Sequence, residues 1–592
     1  MGAVWGELKR RNVVRVAVAY VIVGWFILQL TDVLVPLLSL PEWVGRLVFL
    51  LLLVGCPLAL FFAWAYELTP EGLKKEKDVD RSESITHVTG RKLDFIIIAI
   101  LVLALGYFAY DKFSLRPESG DVFGEIGRSI AVLPFVNMSD DAGNEYFSDG
   151  LSEELLNLLV KIPELRVAAR TSSFSYKGKD VKIAQIGEEL NVTHVLEGSV
   201  RKAGNHVRIT AQLVEADDGF HLWSETFDRT LDDIFVVQDE IASKVAQALE
   251  VSLMGKSQRD RLIDPEAYAL YLKGRHFALQ KGAENYKKSE EALLRAIELE
   301  SGYAKAWATL AMNYYDQTRF KLKTREEGYA LAKNAIGRAK SLDPDLGVVW
   351  GVDGFLTKNL DRDWGAAQAA INKAYELEPK NNGIRIWRAS MATTIGKLDD
   401  AVELYEQALL IDPLNVSAYS ALGIAYVRVH RYDNAIEIFD KQAALKPDYY
   451  WAYFNLGKSY LFKGNAEQAL LEIKKNPENM YRNAGLVMAY STLGREAEAE
   501  EALKRLVFEY GKQNPVWIAE VYSWRGQKDE AFEWLEKAFM QRSAGLSYLL
   551  GNNVYYPLTD DSRWAELLKR INLLEYWKAM PPEYGGPSKP PG

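Results

Sequence analysis

The sequence has very little of what metal centres and disulfide frameworks require. Its 592 residues include one cysteine, Cys56, and six histidines. A single cysteine excludes an intrachain disulfide and a cysteine-based metal site, and the histidines show neither HExxH nor H-x3-5-H spacing. No GxSxG nucleophile motif occurs either. We therefore predict no metal, no cofactor, no catalytic residue and no enzymatic activity.

An excess of positive charge is also absent. The formal net charge is -9 and the pI is about 5.5. Phosphate backbones are bound by clustered Lys and Arg, so nucleic acid is not a predicted partner. The apolar share of 48% and the charged share of 26% are typical of folded domains. We expect a multidomain chain.

Three long apolar stretches lie near the N-terminus, at about 16–38, 47–65 and 94–111. Their lengths predict three transmembrane helices within a membrane domain of residues 1–112. Lys and Arg flank the first stretch and fill the loop between the second and third. By the positive-inside rule, the N-terminus is then cytoplasmic and the C-terminal domains periplasmic in a bacterial inner membrane.

A polar linker, residues 113–128, precedes a change of periodicity. Between residues 129 and 255, short apolar runs alternate with amphipathic segments in the order strand, helix, strand, helix, three strands, helix. Val207, Ile209, Ala211 and Leu213 alternate with polar residues, which is typical of a strand with one buried face. The pattern predicts a mixed α/β domain.

Five motifs in this region resemble a bacterial family related to the TolB N-terminal domain and to FlgO-like proteins. They are Ser129–Phe135, Tyr146–Leu155, Ala169–Phe174, His194–Val200 and Leu222–Glu225. In that family the module is often followed by tetratricopeptide repeats, and preceded by an adenylate-cyclase domain, a DNA-binding winged helix or a transmembrane segment. The resemblance implies an envelope-associated interaction module and supplies no catalytic residues.

Two polar clusters in the α/β domain leave an alternative open. Asp140, Asp141, Asp149, Glu153 and Glu154 form an acidic group that could bind metal or transfer protons, although loops and helix N-termini favour acids in any case. The segment 170–173 (RTSS) could bind an anion. The alternative functions are thus an enzyme with a nucleotide- or metal-dependent activity here, or a transmembrane signalling component related to cyclase-linked proteins.

A 34-residue period follows from residue 264 to residue 545. Pro379, Pro413 and Pro447 follow one another at intervals of 34 residues, and Pro344 precedes Pro379 by 35. This period predicts tetratricopeptide-type helical hairpins, about eight in number, stacked into an α-solenoid. Residues 546–592 are expected to form a C-terminal cap and a disordered tail.

A solenoid of this kind has a concave groove lined by the first helix of each hairpin. We predict that the groove binds protein or peptide partners from the envelope. Together with the expected membrane domain, this predicts a membrane-embedded scaffold or adaptor, and a homo-oligomer is possible. The repeat alignment assigns eight residues to the groove: Met312, Tyr315, Ile424, Arg428, Trp451, Phe454, Lys458 and Phe462. Packing within the superhelix is the alternative role for the aromatic ones.

Overall fold

The structure is a computed structural model that describes most of the C-terminal four fifths of the chain. It describes residues 128–249, 251, 263–477 and 479–587, with separate positions between 17 and 57 and the ranges 66–69 and 72–75. The chain divides into two compact units, Met1–Gly124 and Glu125–Gly592. In the first unit, β1 (Tyr66–Thr69) and β2 (Gly72–Lys75) form an antiparallel hairpin.

The membrane predictions are wrong. A crossing needs a continuous apolar helix of about 20 residues. In the part of the chain that the structure describes, no helix is long and apolar enough; the longest, Arg325–Leu342, has 18 residues and carries charged side chains along its length. This contradicts the three transmembrane helices, the membrane-embedded class and the inner-membrane location with periplasmic domains. The third expected span, 94–111, and the linker up to residue 127 lie outside the described residues, and only separate positions of the first two spans, 16–38 and 47–65, lie among them.

A mixed sheet begins the second unit. Its strands are β3 (Ser129–Val132), β4 (Val136–Asn137), β5 (Arg166–Val167), β6 (His194–Ala203), β7 (His206–Glu215) and β8 (His221–Thr230). The order across the sheet is β5-β3-β6-β7-β8, with β4 also beside β6. β3 runs parallel to β5 and β6, whereas β6, β7 and β8 form an antiparallel meander. β8 is therefore an edge strand.

Helices cover both faces of this sheet. They are α1 (Glu145–Val160), α2 (Arg170–Phe174), α3 (Ile183–Leu190) and α4 (Ile234–Ala248). α1 and α4 pack on one face in a core that includes Leu151, Ile241 and Leu196, and α3 packs on the other face against Ala131. The expected alternation of strands and helices is found, with β4 and α2 as additional short elements.

The predicted tetratricopeptide-type solenoid is confirmed. Sixteen helices pack as eight successive hairpins. The helices are α5 Pro265–Gln280, α6 Ala283–Leu299, α7 Ala304–Arg319, α8 Arg325–Leu342, α9 Gly347–Leu356, α10 Trp364–Leu377, α11 Asn382–Thr394, α12 Leu398–Ile411, α13 Val416–Arg428, α14 Tyr432–Leu445, α15 Trp451–Phe462, α16 Ala466–Lys474, α17 Met480–Thr492, α18 Glu496–Tyr510, α19 Pro515–Trp524 and α20 Lys528–Met540. In each hairpin, the first helix is helix A and the second is helix B.

A glycine and an aromatic residue of the repeat determine how closely the two helices of a hairpin pack. In the fifth hairpin, a Cβ on Gly423 of α13 would lie 2.5 Å from Cζ of Phe439 on α14, so only glycine lets the two helices approach this closely. Phe439 is fully buried between them. A small residue on one helix and a large aromatic residue on its partner thus let the two helices of a hairpin pack closely through contacts within one repeat.

The chain then turns back onto the solenoid. Three 3-10 turns (Ala544–Tyr548, Asn553–Leu558 and Pro582–Tyr584) and the helices α21 (Ser562–Arg570) and α22 (Leu574–Lys578) form what we call the C-terminal segment, residues 543–587. Its apolar side chains are buried in one core with residues of hairpins four and five. Residues 588–592, the end of the expected tail, lie outside the described part.

Candidate functional site

The acidic residues of α1 are paired with basic residues. Glu153 forms ion pairs with Arg170 of α2, at 3.1 Å, and with Arg275 of α5. Glu154 lies 3.5 Å from Arg275 and 3.7 Å from Lys305, which begins hairpin two. Most of these partners come from the solenoid. The acids therefore join the α/β domain to the first two hairpins.

Asp149 belongs to the same interface. Lys177 donates a hydrogen bond to Oδ1 of Asp149 at 2.6 Å, and Nδ1 of His276 lies 3.2 Å from its Oδ2. Burial alone would raise the pKa of Asp149, but the hydrogen bonds from His276 and Lys177 outweigh burial and lower the pKa below its ordinary value of 3.8. Among the described residues, no group of three or more His, Cys, Asp or Glu could hold a metal ion.

Apolar contact accompanies the charges. Gly150 lies against Leu272 of α5, and a Cβ on Gly150 would lie 2.6 Å from Cδ1 of Leu272. The core of the α/β domain continues into hairpins one to three through Leu272 and neighbouring residues. The motif Tyr146–Leu155 is thus a docking surface for the solenoid.

The segment 170–173, expected to bind an anion, holds a carboxylate of the same chain. The backbone N–H and Oγ of Ser172 donate hydrogen bonds to Oδ1 of Asp412 at 3.0 and 2.5 Å, and the N–H of Leu414 donates to Oγ of Ser172 at 2.9 Å. Asp412 is only 2% exposed. One hairpin earlier, Lys380 donates to the carbonyl of Ile162 at 2.7 Å.

These contacts define one edge of the solenoid. Asp412 and Lys380 lie in loops that join a helix B to the next helix A. We call the edge formed by these loops, 378–381, 412–415, 446–450, 475–479 and 511–514, the loop rim. The α/β domain occupies the first two of these loops.

Four of the eight predicted groove residues, Met312, Tyr315, Ile424 and Phe462, are half-buried in the structure. Met312 and Tyr315 pack beside the core of hairpins one to three, and burial raises the pKa of Tyr315 to about 12. Ile424 and Phe462 are half-buried, and Phe462 stacks on Tyr432 at a ring distance of 5.7 Å. These four side chains are therefore partly covered by the chain's own residues.

Arg428 contacts the C-terminal segment. Its guanidinium donates to the carbonyl oxygens of Leu550 and Tyr548 at 2.9 and 2.8 Å, and the side chain is 4% exposed. The side-chain amide of Asn553 donates to the carbonyl of Val427 at 2.9 Å. Burial lowers the pKa of Arg428. The chain's own C-terminal segment thus takes the position expected for a bound peptide.

Trp451, Phe454 and Lys458 lie together on α15. Phe454 is fully buried, and Lys458 forms an ion pair with Glu520 at 3.5 Å. The ring of Trp451 packs against Tyr481 and Trp517, with centroids 4.9 and 5.3 Å away and interplanar angles of 70° and 90°. Four rings from three successive A helices therefore form one cluster.

An open cavity of about 400 Å³ lies on this cluster. We call it the aromatic pocket; it is lined by Asp448, Tyr449, Tyr450, Trp451, Asn479, Tyr481 and Trp517. Tyr450 is 40% exposed. The pocket lies on the loop rim, in loops beyond those that hold the α/β domain.

Of these lining residues, only Trp451 was assigned to a binding site from the sequence. The missed signal is positional, because Tyr449 lies just before α15, and Tyr481 and Trp517 lie in the first turns of α17 and α19. Aromatic residues repeated at that position predict a pocket on the rim.

Family models match three parts of the chain. The model for the second domain of HilA/YgeH-like transcriptional regulators matches residues 126–244. Models for TPR and tetratricopeptide repeats match residues 393–429 and 418–449. The first match covers the α/β domain; the resemblance to TolB N-terminal and FlgO-like proteins is not supported by the comparisons.

The curated relative "Putative adenylate cyclase 3" of Rhizobium meliloti (strain 1021) is 45% identical over 188 residues. The match covers 31% of this chain and 32% of the relative, so the chain spans about a third of the relative's length.

Two solved tetratricopeptide structures are similar to the solenoid. YrrB, described as a TPR protein with an unusual peptide-binding site, is 18% identical with a TM-score of 0.26, over 36% of this chain and 99% of YrrB. A thermophilic TPR protein of Thermus thermophilus is 17% identical with a TM-score of 0.27, over 33% of this chain and 99% of that protein. At these scores the likeness carries no argument about function.

Proposed function

We propose that this chain is a protein-interaction scaffold that binds a partner polypeptide on the loop rim, with the aromatic pocket as the anchoring site. Tetratricopeptide repeats are typical of proteins that bind other proteins, and two repeat models match here. The observation that carries the proposal is an open pocket walled by aromatic rings from three consecutive hairpins.

Aromatic pockets of this kind dominate binding energy at protein interfaces. Rigid rings give a large contact area at a small entropic cost, and a pocket shields the inserted side chain from water. The buried ring of Phe454 packs beneath the cluster, with its centroid 5.8 Å from that of Trp451 and 5.4 Å from that of Trp517. This packing fixes the positions of the two tryptophan rings. The pocket therefore needs little reorganisation to accept a ligand.

The central groove is a weaker candidate. The C-terminal segment covers Arg428, and its Leu549 and Leu550 are each 1% exposed. A partner would have to displace a segment that shares the core of hairpins four and five. The pocket is open without any such displacement, which favours the rim.

A second candidate is an activity in the α/β domain, related to cyclase-linked proteins. The 45% identity to part of "Putative adenylate cyclase 3" supports this second candidate. However, Asp149, Glu153 and Glu154 are all engaged in ion pairs. We expect the purified chain to form no cyclic AMP from ATP with Mg²⁺ or Mn²⁺. Turnover that Asp149→Asn abolishes would favour the enzyme instead.

Peptide selection tests the scaffold. Random peptides displayed on phage are selected on the immobilised full chain, and their dissociation constants are measured by fluorescence anisotropy. Trp451→Ala should weaken binding roughly 30-fold, because loss of an aromatic anchor costs about 2 kcal/mol or more. Tyr450→Ser, a milder change at the exposed rim, should weaken binding in the same direction.

Phe508→Ser is the matched control, since Phe508 lies on α18 and is 92% exposed. It should leave the dissociation constants unchanged. Binding that survives both pocket substitutions, or that Phe508→Ser weakens equally, would contradict the proposed site.

A further inference from the structure

The outer edge of the mixed sheet is long and open. β8 is ten residues long and pairs with β7 along one side. Among the described residues, no strand pairs with its other side. Such an edge presents unpaired N–H and C=O groups and is a template for another strand unless proline, a bulge or a covering element blocks it. β8 contains no proline, and the one irregularity of its pairing lies near His221.

One face of β8 is covered and its edge is not. Trp223 and Phe227 pack in or beside the domain core. Arg229 forms an ion pair with Glu240 of α4 at 3.2 Å, and Lys244 of α4 lies 3.8 Å from Glu225. α4 thus lies over the odd-numbered residues, so a strand added at the edge would meet alternating side chains already held in position.

We propose that β8 pairs antiparallel with β8 of a second copy of this chain. In a two-fold symmetric antiparallel pair, residues of the same face lie opposite each other, so the axis passes through one residue of the strand. An axis at Glu225 or Asp228 places that acid opposite the same acid of the second copy. An axis at Phe227 places Glu225 of each copy opposite Arg229 of the other copy, which gives two such pairs.

The register centred on Phe227 is therefore the one with charge complementarity. Opposite charges across a strand pair stabilise it, and like charges destabilise it. Exposed apolar side chains lie on the same two elements, since Leu222 on β8 is 45% exposed and Val236 on α4 is 46% exposed. Pairing joins two meanders into one sheet and removes both open edges.

Charge reversal tests this register in the full chain. Sedimentation equilibrium measures the dimer dissociation constant of the unaltered chain, of Glu225→Arg, of Arg229→Glu and of the double variant. Each single reversal turns two attractive pairs into two repulsive ones and should weaken dimerisation on the order of tenfold. The double variant restores both pairs and should recover the original constant.

Lys244→Met is the control, because it removes the intrachain partner of Glu225 without changing the edge. It should leave dimerisation unchanged, and circular dichroism checks that each variant is folded. A chain that stays monomeric at its highest soluble concentration would overturn the proposal. Single reversals without effect, or a double variant as weak as the singles, would overturn the register.

Discussion

Arg275 is expected to hold the α/β domain on the solenoid. Its guanidinium contacts two carboxylates of α1, those of Glu153 and Glu154, and it donates to the hydroxyl of Tyr271 at 3.2 Å. The side chain of Arg275 is 22% exposed, and those of Glu153 and Glu154 are 12% and 11% exposed. Arg275→Met keeps an unbranched apolar stem and removes the guanidinium with its charge.

The expected loss of docking free energy depends on the ion-pair partners that Glu153 and Glu154 keep in Arg275→Met. Removing one partner of a buried ion pair costs about 3–5 kcal/mol because a charge is left buried. Here Glu153 keeps Arg170 and Glu154 keeps Lys305, and solvent reaches part of Arg275. We therefore expect a loss of about 2 kcal/mol of docking free energy, below the range for a fully buried pair.

Hydrogen exchange measured by mass spectrometry reports this loss locally. A loss of about 2 kcal/mol should speed the exchange of α1 amides roughly 30-fold, because opening of the interface becomes more frequent. The control is Arg295→Met on α6, where both Arg295 and its partner Glu298 are more than half exposed. Unchanged exchange in Arg275→Met, or equal acceleration in Arg295→Met, would refute the docking role.

Further substitutions test other parts of the molecule. The folded-state pKa of Asp149 is lowered, so its stabilising contribution is present above pH 3.8 and is lost as pH falls through the folded pKa. Asp149→Asn should therefore reduce the loss of stability that urea unfolding measures as pH falls below 3.8. Gly423→Ala should destabilise by about 1–3 kcal/mol in thermal unfolding, because its Cβ would overlap Phe439. Gly337→Ala, with nothing within 4 Å of its Cβ on α8, should stabilise by about 0.5–1 kcal/mol. Arg428→Leu leaves two buried carbonyls without their donor and should cost about 2 kcal/mol or more, measured as faster proteolysis within the C-terminal segment.

Local patterns predicted the parts of the fold that depend on local interactions. The spacing of Pro379, Pro413 and Pro447 predicts the hairpins because each hairpin repeats one packing rule over 34 residues. The alternation of apolar and polar residues in Val207–Leu213 predicts β7, because it too depends only on neighbouring residues of one strand. The hydropathy of the N-terminal stretches predicted three crossings, whereas no helix in the part of the chain that the structure describes is long and apolar enough to span a membrane.

Contacts between distant segments could not be predicted in this way. Arg428 was assigned to an open groove because its position in the repeat faces inward, but the segment that covers it begins 115 residues later. The acids of α1 were compatible with a reactive site, since neither composition nor spacing specifies that Arg275 lies opposite them. Both outcomes depend on the path of the chain after the repeat signature ends.

One position of the repeat signature differs between a rim loop that the α/β domain contacts and the next loop along the chain. The residue before the signature proline is Asp412 in one loop and Lys446 in the next. Two donors of Ser172 meet the carboxylate of Asp412, whereas an ammonium group at that place would face the same donors without an acceptor. The α/β domain contacts the loop of Asp412, and the aromatic pocket lies at the loop of Lys446. This single difference between copies of the repeat agrees with docking at Asp412 and not at Lys446.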